Sequence, residues 1–584
     1  MSKVAAALIE EAFITPIRSA FMVDDQFPTF PDLISDKSDP HWDKPRAREL
    51  YSFLRSKGLM CDIENVAAKA EGDRLTHLGQ CDLLIADFHL NPKASTDPSA
   101  AIHLLGQLAE SDHFNLAIVY TAADTREVLR QVGFSLGGGL ELAAQIREKA
   151  DALLDELAAP DFDALLAAVD EEMLGRFLAG KSGDPQPIAA LAQQFEIPPA
   201  QRSACVSLLC EKKLRRSLPL SVVDQRKPSA VEGSFMASTD SVQWIRKGNL
   251  FAAIANKKLE PDKLLEVLKD ALVAWDPPAL QVMMVQARAQ VEKAGVLLDE
   301  KVLNSPREQS GWLLRVLLAS TADEQRRHLA ALYERMFGRL FTRLTGSISE
   351  FGLKILGSRQ QDSIAAATEL VSNGKVALKE VEIYHAANEH LCFDAEHGEF
   401  ITSGTIFKRA GEAQAEYWVC TSPACDLVPG QGRRGWDADL KPWRAITAAR
   451  LRVIVNESSI GRLLTTATRC RHIFIHDERM LALEVADDDT RQMELEMLLI
   501  ENDGRIDAAQ MRGQILRVRA GAPATESAAF AVLGRLRYEY ASRFLAESGQ
   551  QRARIGVDFI DRADPGHGKA VVLQENQVAD KQVQ

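Results

Sequence analysis

The feature that most constrains the fold is a regular alternation of short apolar runs and amphipathic segments near the N-terminus. The apolar runs lie at residues 21–23, 59–63, 81–86 and 115–120. The run at 81–86 is apolar throughout instead of alternating with polar residues, which is typical of a strand that is buried on both faces. A strand–helix–strand order of this kind predicts an α/β fold, in which helices cover both faces of a parallel sheet.

Three helices are predicted between these strands, over residues 45–57, 66–79 and 98–110. Pro45 and Pro98 stand where the first and third of them begin, and proline is well tolerated in a first helical turn. Gly58 ends the first helix, as glycine commonly does.

The remainder of the chain divides into segments that differ in their pattern of apolar residues and in the secondary structure that this pattern predicts. We expect a long helix at 526–547, and we assign the leucines of 312–344, with Met283 and Met284, to the core of a helical bundle. The predicted segments are a first α/β part at 1–124, a helical insertion at 125–240, a second α/β part at 241–276, a helical bundle at 277–388, a β-rich α+β module with a terminal helix at 389–563 and a disordered tail at 564–584.

Composition narrows the class of protein. The chain has 584 residues, a net charge of −13 and eight cysteines. An acidic chain is a poor binder of nucleic acid or of an anionic membrane, because both ligands require a basic surface. Eight cysteines are too few to form a disulfide scaffold in a chain of this length. With neither a signal-like start nor a membrane-length apolar run, the expected location is the cytoplasm, with no membrane partner.

Polar residues stand where the predicted strands end. Asp24 and Asp25 follow the first strand, Asp87 follows the third and Thr121 follows the fourth. The carboxyl ends of parallel strands share one edge of a sheet, and open α/β sheets place their sites at that edge. We therefore expect these side chains to form a site there.

This arrangement resembles the receiver domain of response regulators, in a divergent form. The resemblance implies a flavodoxin-like sheet with strand order 2-1-3-4-5. It implies that Asp87 accepts a phosphoryl group, that Asp24 and Asp25 hold Mg²⁺ together with Asp87, and that the Thr121 hydroxyl moves toward the phosphoryl group. Mg²⁺ prefers oxygen ligands of this type.

The lysine of the receiver family is missing from its usual place after a fifth strand, about 20 residues beyond Thr121. A later segment, residues 248–261, resembles a receiver fifth strand followed by the last helix. We therefore predict that the helical insertion splits the receiver between its fourth and fifth strands. Lys257 would be the phosphate-binding lysine, with Lys258 as the alternative. Lys258 also replaces the proline that usually follows.

The resemblance implies a signalling switch. A partner histidine kinase, a kinase-like ATPase or a small phosphodonor would phosphorylate Asp87, and the signal would pass to other signalling proteins or modules. Large bacterial proteins with such receivers resemble parts of anti-phage or conflict systems. Three alternatives stay open: a pseudo-receiver scaffold that is not phosphorylated, an effector enzyme in the C-terminal part and a DNA-binding output.

Two further groups of residues were weighed as sites. The cysteines and histidines of the C-terminal part lack the paired spacing that zinc prefers, so buried structural roles are favoured; they are Cys420, Cys425, Cys470, His472 and His476. A nucleophilic Cys425 paired with a histidine is the enzymatic alternative. Residues 188–216 could form a helix-turn-helix with a basic end, although a solvated helix end is the favoured interpretation.

Overall fold

Two units make up the chain in its computed structural model. The first comprises Met1–Leu298 and Arg339–Val376, and the second comprises Asp299–Gly338 and Ala377–Gln584. The structure describes residues 4–35, 37, 39–65, 81–90, 96–182, 186–225, 227–238, 241–294, 305–319, 322–357, 363–372, 376–409, 415–429, 436–469, 471–486, 492–519 and 521–553.

A single sheet forms the centre of the first unit. Its strands within the described residues are β1 (Ser19–Val23), β2 (Met60–Glu64), β3 (Leu83–Asp87), β4 (Asn115–Thr121), β5 (Glu232–Gly233), β6 (Gln243–Lys247) and β7 (Leu250–Asn256). They lie in the order β2-β1-β3-β4-β7-β6-β5. The pairs from β2 to β7 are parallel, so this part of the sheet fits a flavodoxin-like receiver fold.

Strand β7 lies beside β4 although about 130 residues separate them in the chain. Two further strands, β6 and β5, continue the sheet in antiparallel orientation beyond β7. The sequence shows strand signals from Val231 to Lys257, but it does not indicate that antiparallel edge. As a result, β7 is an internal strand, and six of its seven residues are buried.

Helices cover both faces of this sheet. Those of the first unit up to residue 294 are α1 (Ala6–Ile9), α2 (Phe30–Ile34), α3 (Lys44–Ser56), α4 (Ser99–Glu110), α5 (Thr125–Ser135), α6 (Ala144–Asp155), α7 (Ala159–Ala168), α8 (Glu171–Leu178), α9 (Ala189–Gln194), α10 (Pro199–Arg216), α11 (Leu220–Gln225), α12 (Leu264–Trp275) and α13 (Ala279–Ala294). The predicted helix at 66–79 lies outside the described residues.

The sheet separates two apolar cores. On one face, α3 and α12 pack against it through residues such as Leu50, Leu54 and Leu268. On the other face, the core contains α4, α5 and the helices from α6 to α11. Because α5 begins four residues after β4 and packs against the sheet, the helical segment that separates β4 from β7 is joined to the sheet through one continuous core.

The second unit contains an antiparallel β-barrel. Its strands are β8 (Phe393–Asp394), β9 (Thr405–Arg409), β10 (Tyr417–Cys420), β11 (Arg444–Ile454), β12 (His472–Asp477), β13 (Arg479–Glu484), β14 (Glu494–Ile500), β15 (Gln510–Arg519) and β16 (Ala522–Leu536). Within the described residues, six of them close into a ring in the order β10-β9-β16-β15-β14-β11, because β11 also pairs with β10. Phe407, Trp418 and Phe530 fill its interior.

One sequence-based prediction for this unit was wrong. Residues 526–547 do not form one helix, because β16 runs to Leu536 and the helix Tyr538–Arg552 begins after it. The alanines and glutamates of this segment favour a helix locally, but pairing with both β15 and β9 specifies a strand. The predicted disordered tail at 564–584 lies outside the described residues.

An ion-pair network lies at one end of the barrel. Glu416 contacts Arg450 at 2.5 Å, Arg517 at 3.0 Å and Arg409 at 3.4 Å. Arg409 also contacts Glu526 at 2.6 Å. Arg409 lies two residues after Phe407 on β9, so the network continues the inward-facing row of side chains beyond the apolar interior.

The remaining helices within the described residues are Pro306–Leu317, Ala322–Leu356, Ser363–Ser372, Glu380–Cys392, Trp436–Asp439 and Glu457–Leu464. The assignment of the leucines of 312–344 to a core was wrong for Leu313, Leu314 and Leu317, which are exposed, whereas Leu340 is buried. Met284 is exposed as well, whereas Met283 packs against the core of the first unit. An amphipathic pattern marks an apolar helix face without specifying a partner for it. Among the described helices, none is both long and apolar enough to cross a membrane.

Candidate functional site

The carboxyl ends of the parallel strands bring three of the predicted residues to one edge of the sheet. Asp87 is the last residue of β3 and lies opposite Tyr120 of β4. Thr121, the last residue of β4, lies opposite Asn256 of β7. Lys257 therefore follows β7 at the edge where Asp87 ends β3.

The loop after β1 places the remaining two acids. The Asp24 N–H donates to the Glu64 carbonyl of β2 at 3.3 Å, and the Asp24 carboxylate accepts the Gln26 N–H at 2.9 Å. The Asn65 amide donates to the Asp25 carbonyl at 3.1 Å. These bonds connect the loop to the neighbouring strand, which holds both aspartates beside the sheet.

Asp24, Asp25 and Asp87 form a carboxylate cluster. One oxygen from each of the three side chains lies within 4.8 Å of the others. Asp24 and Asp87 are buried, and Asp25 is partly buried. Three carboxylates at this spacing fit a hard divalent cation such as Mg²⁺, which takes oxygen ligands and keeps part of its water shell. Among the described residues, no other group of acidic, cysteine or histidine side chains has this geometry.

Lys257 completes the site. Its ammonium lies 2.7 Å from an Asp24 oxygen and 2.9 Å from an Asp87 oxygen. Burial by itself lowers the pKa of Lys257, but the charges of Asp24 and Asp87 outweigh burial and raise the pKa above its usual value. The side chain is therefore a fixed cation beside the carboxylates. No contact in the structure gives the alternative, Lys258, a comparable place.

Thr121 is fully buried at the end of β4. Its hydroxyl oxygen accepts the Ala123 N–H at 3.1 Å, and its carbonyl accepts the Lys257 N–H at 2.7 Å. The main chain of Thr121 is thus bonded directly to the residue that carries the site lysine. The hydroxyl proton is free of this acceptor bond and can be donated to an oxygen above the strand ends.

The acids repel one another. Burial raises the pKa of Asp24 to about 6, against the opposing charge of Lys257 and with the added repulsion of Asp87. Burial raises the pKa of Asp25 as well, and the charge of Asp87 adds to that effect. A bound cation stabilises a cluster of this kind, because it neutralises the repelling carboxylates.

Arg46 was not foreseen at this site. It lies on α3, and its guanidinium donates to the Lys257 carbonyl at 3.0 Å and to the Leu259 carbonyl. No sequence signal distinguishes it, because its partners are main-chain carbonyls far away along the chain.

The cysteine and histidine group of the second unit gains no support as a site. Cys425 is exposed and donates a hydrogen bond to Asp426 at 3.3 Å, a bond that raises the pKa of the thiol. A nucleophilic cysteine needs a lowered pKa. Burial raises the pKa of Cys420 to about 12, which makes it an inert core residue. Cys470 lies outside the described residues.

The basic end of the possible helix-turn-helix is engaged in contacts within the first unit. Lys212 lies 3.1 Å from Asp151, Arg215 lies 3.0 Å from Glu211 and Arg216 lies 3.3 Å from Asp163. Lys213 donates to a main-chain carbonyl, that of Val169. This surface is therefore largely neutralised, which argues against binding to DNA phosphates.

Comparison with known families identifies the first part of the chain. Residues 16–165 match the model of the response receiver domain family. The first unit therefore contains a divergent receiver domain. The match covers about a quarter of the chain and ends before β7. The fifth parallel strand, β7, and the position of Lys257 after it are therefore known from the structure and not from the family match. No curated protein and no solved structure matched the chain.

Proposed function

We propose that the chain is an atypical response regulator in which Asp87 accepts a phosphoryl group. A receiver domain supports a response-regulator-like signalling role. The observation that carries the finer proposal is the position of Lys257, which lies within 2.9 Å of Asp87 although 170 residues separate them in the sequence. Lys257 thus contacts the proposed acceptor although a long helical segment separates β4 from β7 in the chain.

In the proposed reaction an Asp87 oxygen attacks the phosphorus of a phosphodonor. A new oxygen–phosphorus bond forms, the bond to the donor breaks, and the donor group departs with the electron pair. The donor is a phosphohistidine of a kinase or kinase-like ATPase, or a small acyl phosphate. Lys257 and the Thr121 hydroxyl then hold the phosphoryl oxygens by charge-assisted hydrogen bonds.

Asp24, Asp25 and Asp87 are the residues that would hold Mg²⁺. When bound, the ion offsets the repulsion between the carboxylates and the incoming phosphoryl group. Burial raises the pKa of Asp24 and repulsion from Asp87 adds to that rise, so a bound cation would favour the ionised carboxylates.

The output would pass through the strands that carry Thr121 and Lys257. A phosphoryl group adds a charge of about −1.5 to −2 at neutral pH and draws both residues toward Asp87. Helix α5 follows Thr121 directly and shares a core with α6 to α11. We propose that these helices relay the change to the remaining modules. Anti-phage defence is one candidate for the process that this signal controls.

The proposal is tested with the full chain, radiolabelled acetyl phosphate and Mg²⁺. We expect label that is lost in Asp87→Asn and removed by hydroxylamine, as an acyl phosphate requires. Asp112→Asn is the matched control, because Asp112 is exposed near the opposite end of β4. Absence of label in the wild-type chain, or label retained in Asp87→Asn, would refute the proposal.

A second candidate is a receiver that serves as an unphosphorylated scaffold. It is favoured by the closed state of the site, in which Lys257 already neutralises both Asp24 and Asp87. For a scaffold we expect no label from acetyl phosphate. We also expect Lys257→Met to lower the unfolding free energy, since it would leave buried carboxylates unpaired.

A further inference from the structure

We propose that Arg46 is a positioning residue for phosphoryl transfer, because it holds the loop that carries Lys257. The inference rests on the proposed function, since it assigns to Arg46 the task of presenting Lys257 to Asp87. Arg46 touches neither Asp87 nor the cation cluster in any contact of the structure, so its effect would be exerted through the loop.

The guanidinium of Arg46 reaches three acceptors. It donates to the Lys257 carbonyl at 3.0 Å, to the Leu259 carbonyl and to the Tyr120 hydroxyl oxygen. Its central carbon also lies 5.4 Å from the centre of the Tyr120 ring, within cation–π range. The arginine side chain is 17% exposed, so these bonds form in a largely dry environment in which they are strong.

The same loop is held by strand β4. The Tyr120 hydroxyl donates to the Leu259 carbonyl at 2.9 Å, and the Lys257 N–H donates to the Thr121 carbonyl at 2.7 Å. Arg46 therefore closes a triangle between α3, the end of β4 and the loop after β7. Its two carboxylate neighbours, Glu49 and Glu260, are at 3.4 Å and 4.0 Å and are mostly exposed, which leaves the carbonyls as its main partners.

All three acceptors are reached by one guanidinium nitrogen, Nη2, whose two hydrogens can serve two of them at a time. Position 46 is itself fixed, because the Asp43 side chain caps α3 by accepting the Arg46 N–H at 3.1 Å. The residue is thus held at its main chain and extends its side chain to the loop.

Removal of the guanidinium should affect Lys257 and leave the acids in place. The Lys257 and Leu259 carbonyls would each lose a charged donor, and the loop could move away from Asp24 and Asp87. The positions of Asp24 and Asp87 depend on β1 and β3, which Arg46 does not contact through any of these bonds. The acids would therefore still be placed to bind a cation when Lys257 moves.

The test compares Arg46→Met with Arg48→Met in the full chain. Arg48 lies two residues further along α3 and is exposed, so it matches the change in charge without the contacts. Lysine reactivity is measured with acetic anhydride and peptide mass spectrometry. We expect acetylation of Lys257 relative to Lys258 to rise several-fold in Arg46→Met and to stay unchanged in Arg48→Met.

Phosphorylation adds a second measurement. We expect Arg46→Met to slow labelling by acetyl phosphate about ten-fold, the loss expected for a charge-assisted hydrogen bond. The affinity for Mg²⁺ should not fall, because a displaced Lys257 no longer competes with the cation for Asp24 and Asp87. A merely structural role would lower both together. Unchanged acetylation of Lys257, or a parallel fall in Mg²⁺ affinity, would overturn the inference.

The two proposals fail in distinguishable ways. If the wild-type chain takes up no label, the proposed function fails, whereas acetylation still decides whether Arg46 places Lys257. If Arg46→Met does not fold, Tyr120→Phe removes one donor to the Leu259 carbonyl without a change of charge. A rise in Lys257 acetylation in that variant supports the positioning triangle, and no rise counts against it.

Discussion

Asp24 combines two demands that oppose each other. It is 3% exposed, yet it must be ionised to bind a cation. Lys257 offsets part of the desolvation cost through its 2.7 Å contact, and the remainder appears as a pKa raised to about 6. In the metal-free chain the native state therefore holds this proton more tightly than the unfolded chain does. Its contribution to stability is fully present below pH 3.8 and is lost as the pH rises through about 6.

Mg²⁺ affinity should follow this ionisation. Below pH 6 the cation must displace the proton of Asp24, so we expect affinity to fall about ten-fold per pH unit there and to be nearly constant above pH 7. Isothermal titration calorimetry between pH 5 and 8 measures this dependence, and Asp24→Asn should weaken it. An affinity that is independent of pH across that range would show that Asp24 is not a ligand.

Asp25 should destabilise the metal-free chain. Its pKa is raised by burial and by the charge of Asp87, and the charge of Lys257 offsets this rise only in part. We expect Asp25→Asn to raise the unfolding free energy in EDTA by at most about 1 kcal/mol, because solvent screens a partly exposed carboxylate. Thermal unfolding measures the change, with added Mg²⁺ as the comparison. In Mg²⁺ the advantage should vanish, since the variant loses a ligand; a variant less stable than wild type in EDTA would contradict this view.

At the level of elements, the turn between β6 and β7 requires a glycine, and the position of β7 in the sheet depends on this turn. Gly248 has a φ of +53°, and a Cβ there would lie 2.3 Å from the Ala109 carbonyl oxygen at the end of α4. The next residue donates its N–H to the same carbonyl at 3.1 Å. A glycine is thus required for the hairpin to approach α4 and place β7 beside β4.

Gly248→Ala should therefore destabilise the first unit by about 2 kcal/mol, from strain and from contact with a carbonyl. Urea unfolding of the full chain measures this loss. Gly106→Ala is the control, because Gly106 lies within α4 with no atom within 4 Å of its added Cβ. That control should be neutral or stabilising by up to about 1 kcal/mol, since alanine favours a helix. Equal losses in both variants would argue against a special role for the turn.

The elements that could be predicted from the sequence are those whose own residues specify them. Strands β3, β4 and β7 are apolar along most of their length and are buried on both faces, so their location followed from composition. Strand β16 was mistaken for part of a helix because its partners, β15 and β9, decide its conformation.

The same distinction applies to the candidate site. Its acids and its lysine follow the ends of strands, so topology alone places them at one edge of the sheet. Arg46 could not be found in this way, because its carbonyl acceptors lie 211 and 213 residues away in the sequence. Every residue type carries a main-chain carbonyl, so no sequence motif marks these contacts.

At the scale of the whole molecule, the division into two units separates two kinds of stabilisation. The first unit carries the carboxylate cluster, which a cation would stabilise. The second carries the ion-pair network at one end of the barrel, in which Glu416 contacts three arginines. Each feature lies wholly within its own unit, so each can be perturbed without direct change to the other.

Calorimetry of the full chain should therefore resolve two unfolding transitions. We expect Mg²⁺ to stabilise the first unit and Glu416→Gln to lower the unfolding free energy of the second by about 2 kcal/mol, because the change removes one charged partner of three partly buried arginines. The control Glu494→Gln should have an effect below about 1 kcal/mol, since Glu494 is 65% exposed and lies 3.5 Å from Arg450. Phosphorylation of Asp87 should continue in Glu416→Gln at the wild-type rate. If Glu416→Gln lowers both transitions equally, or if Mg²⁺ raises both, the two units are thermodynamically coupled and a signal at Asp87 has a direct energetic route to the barrel.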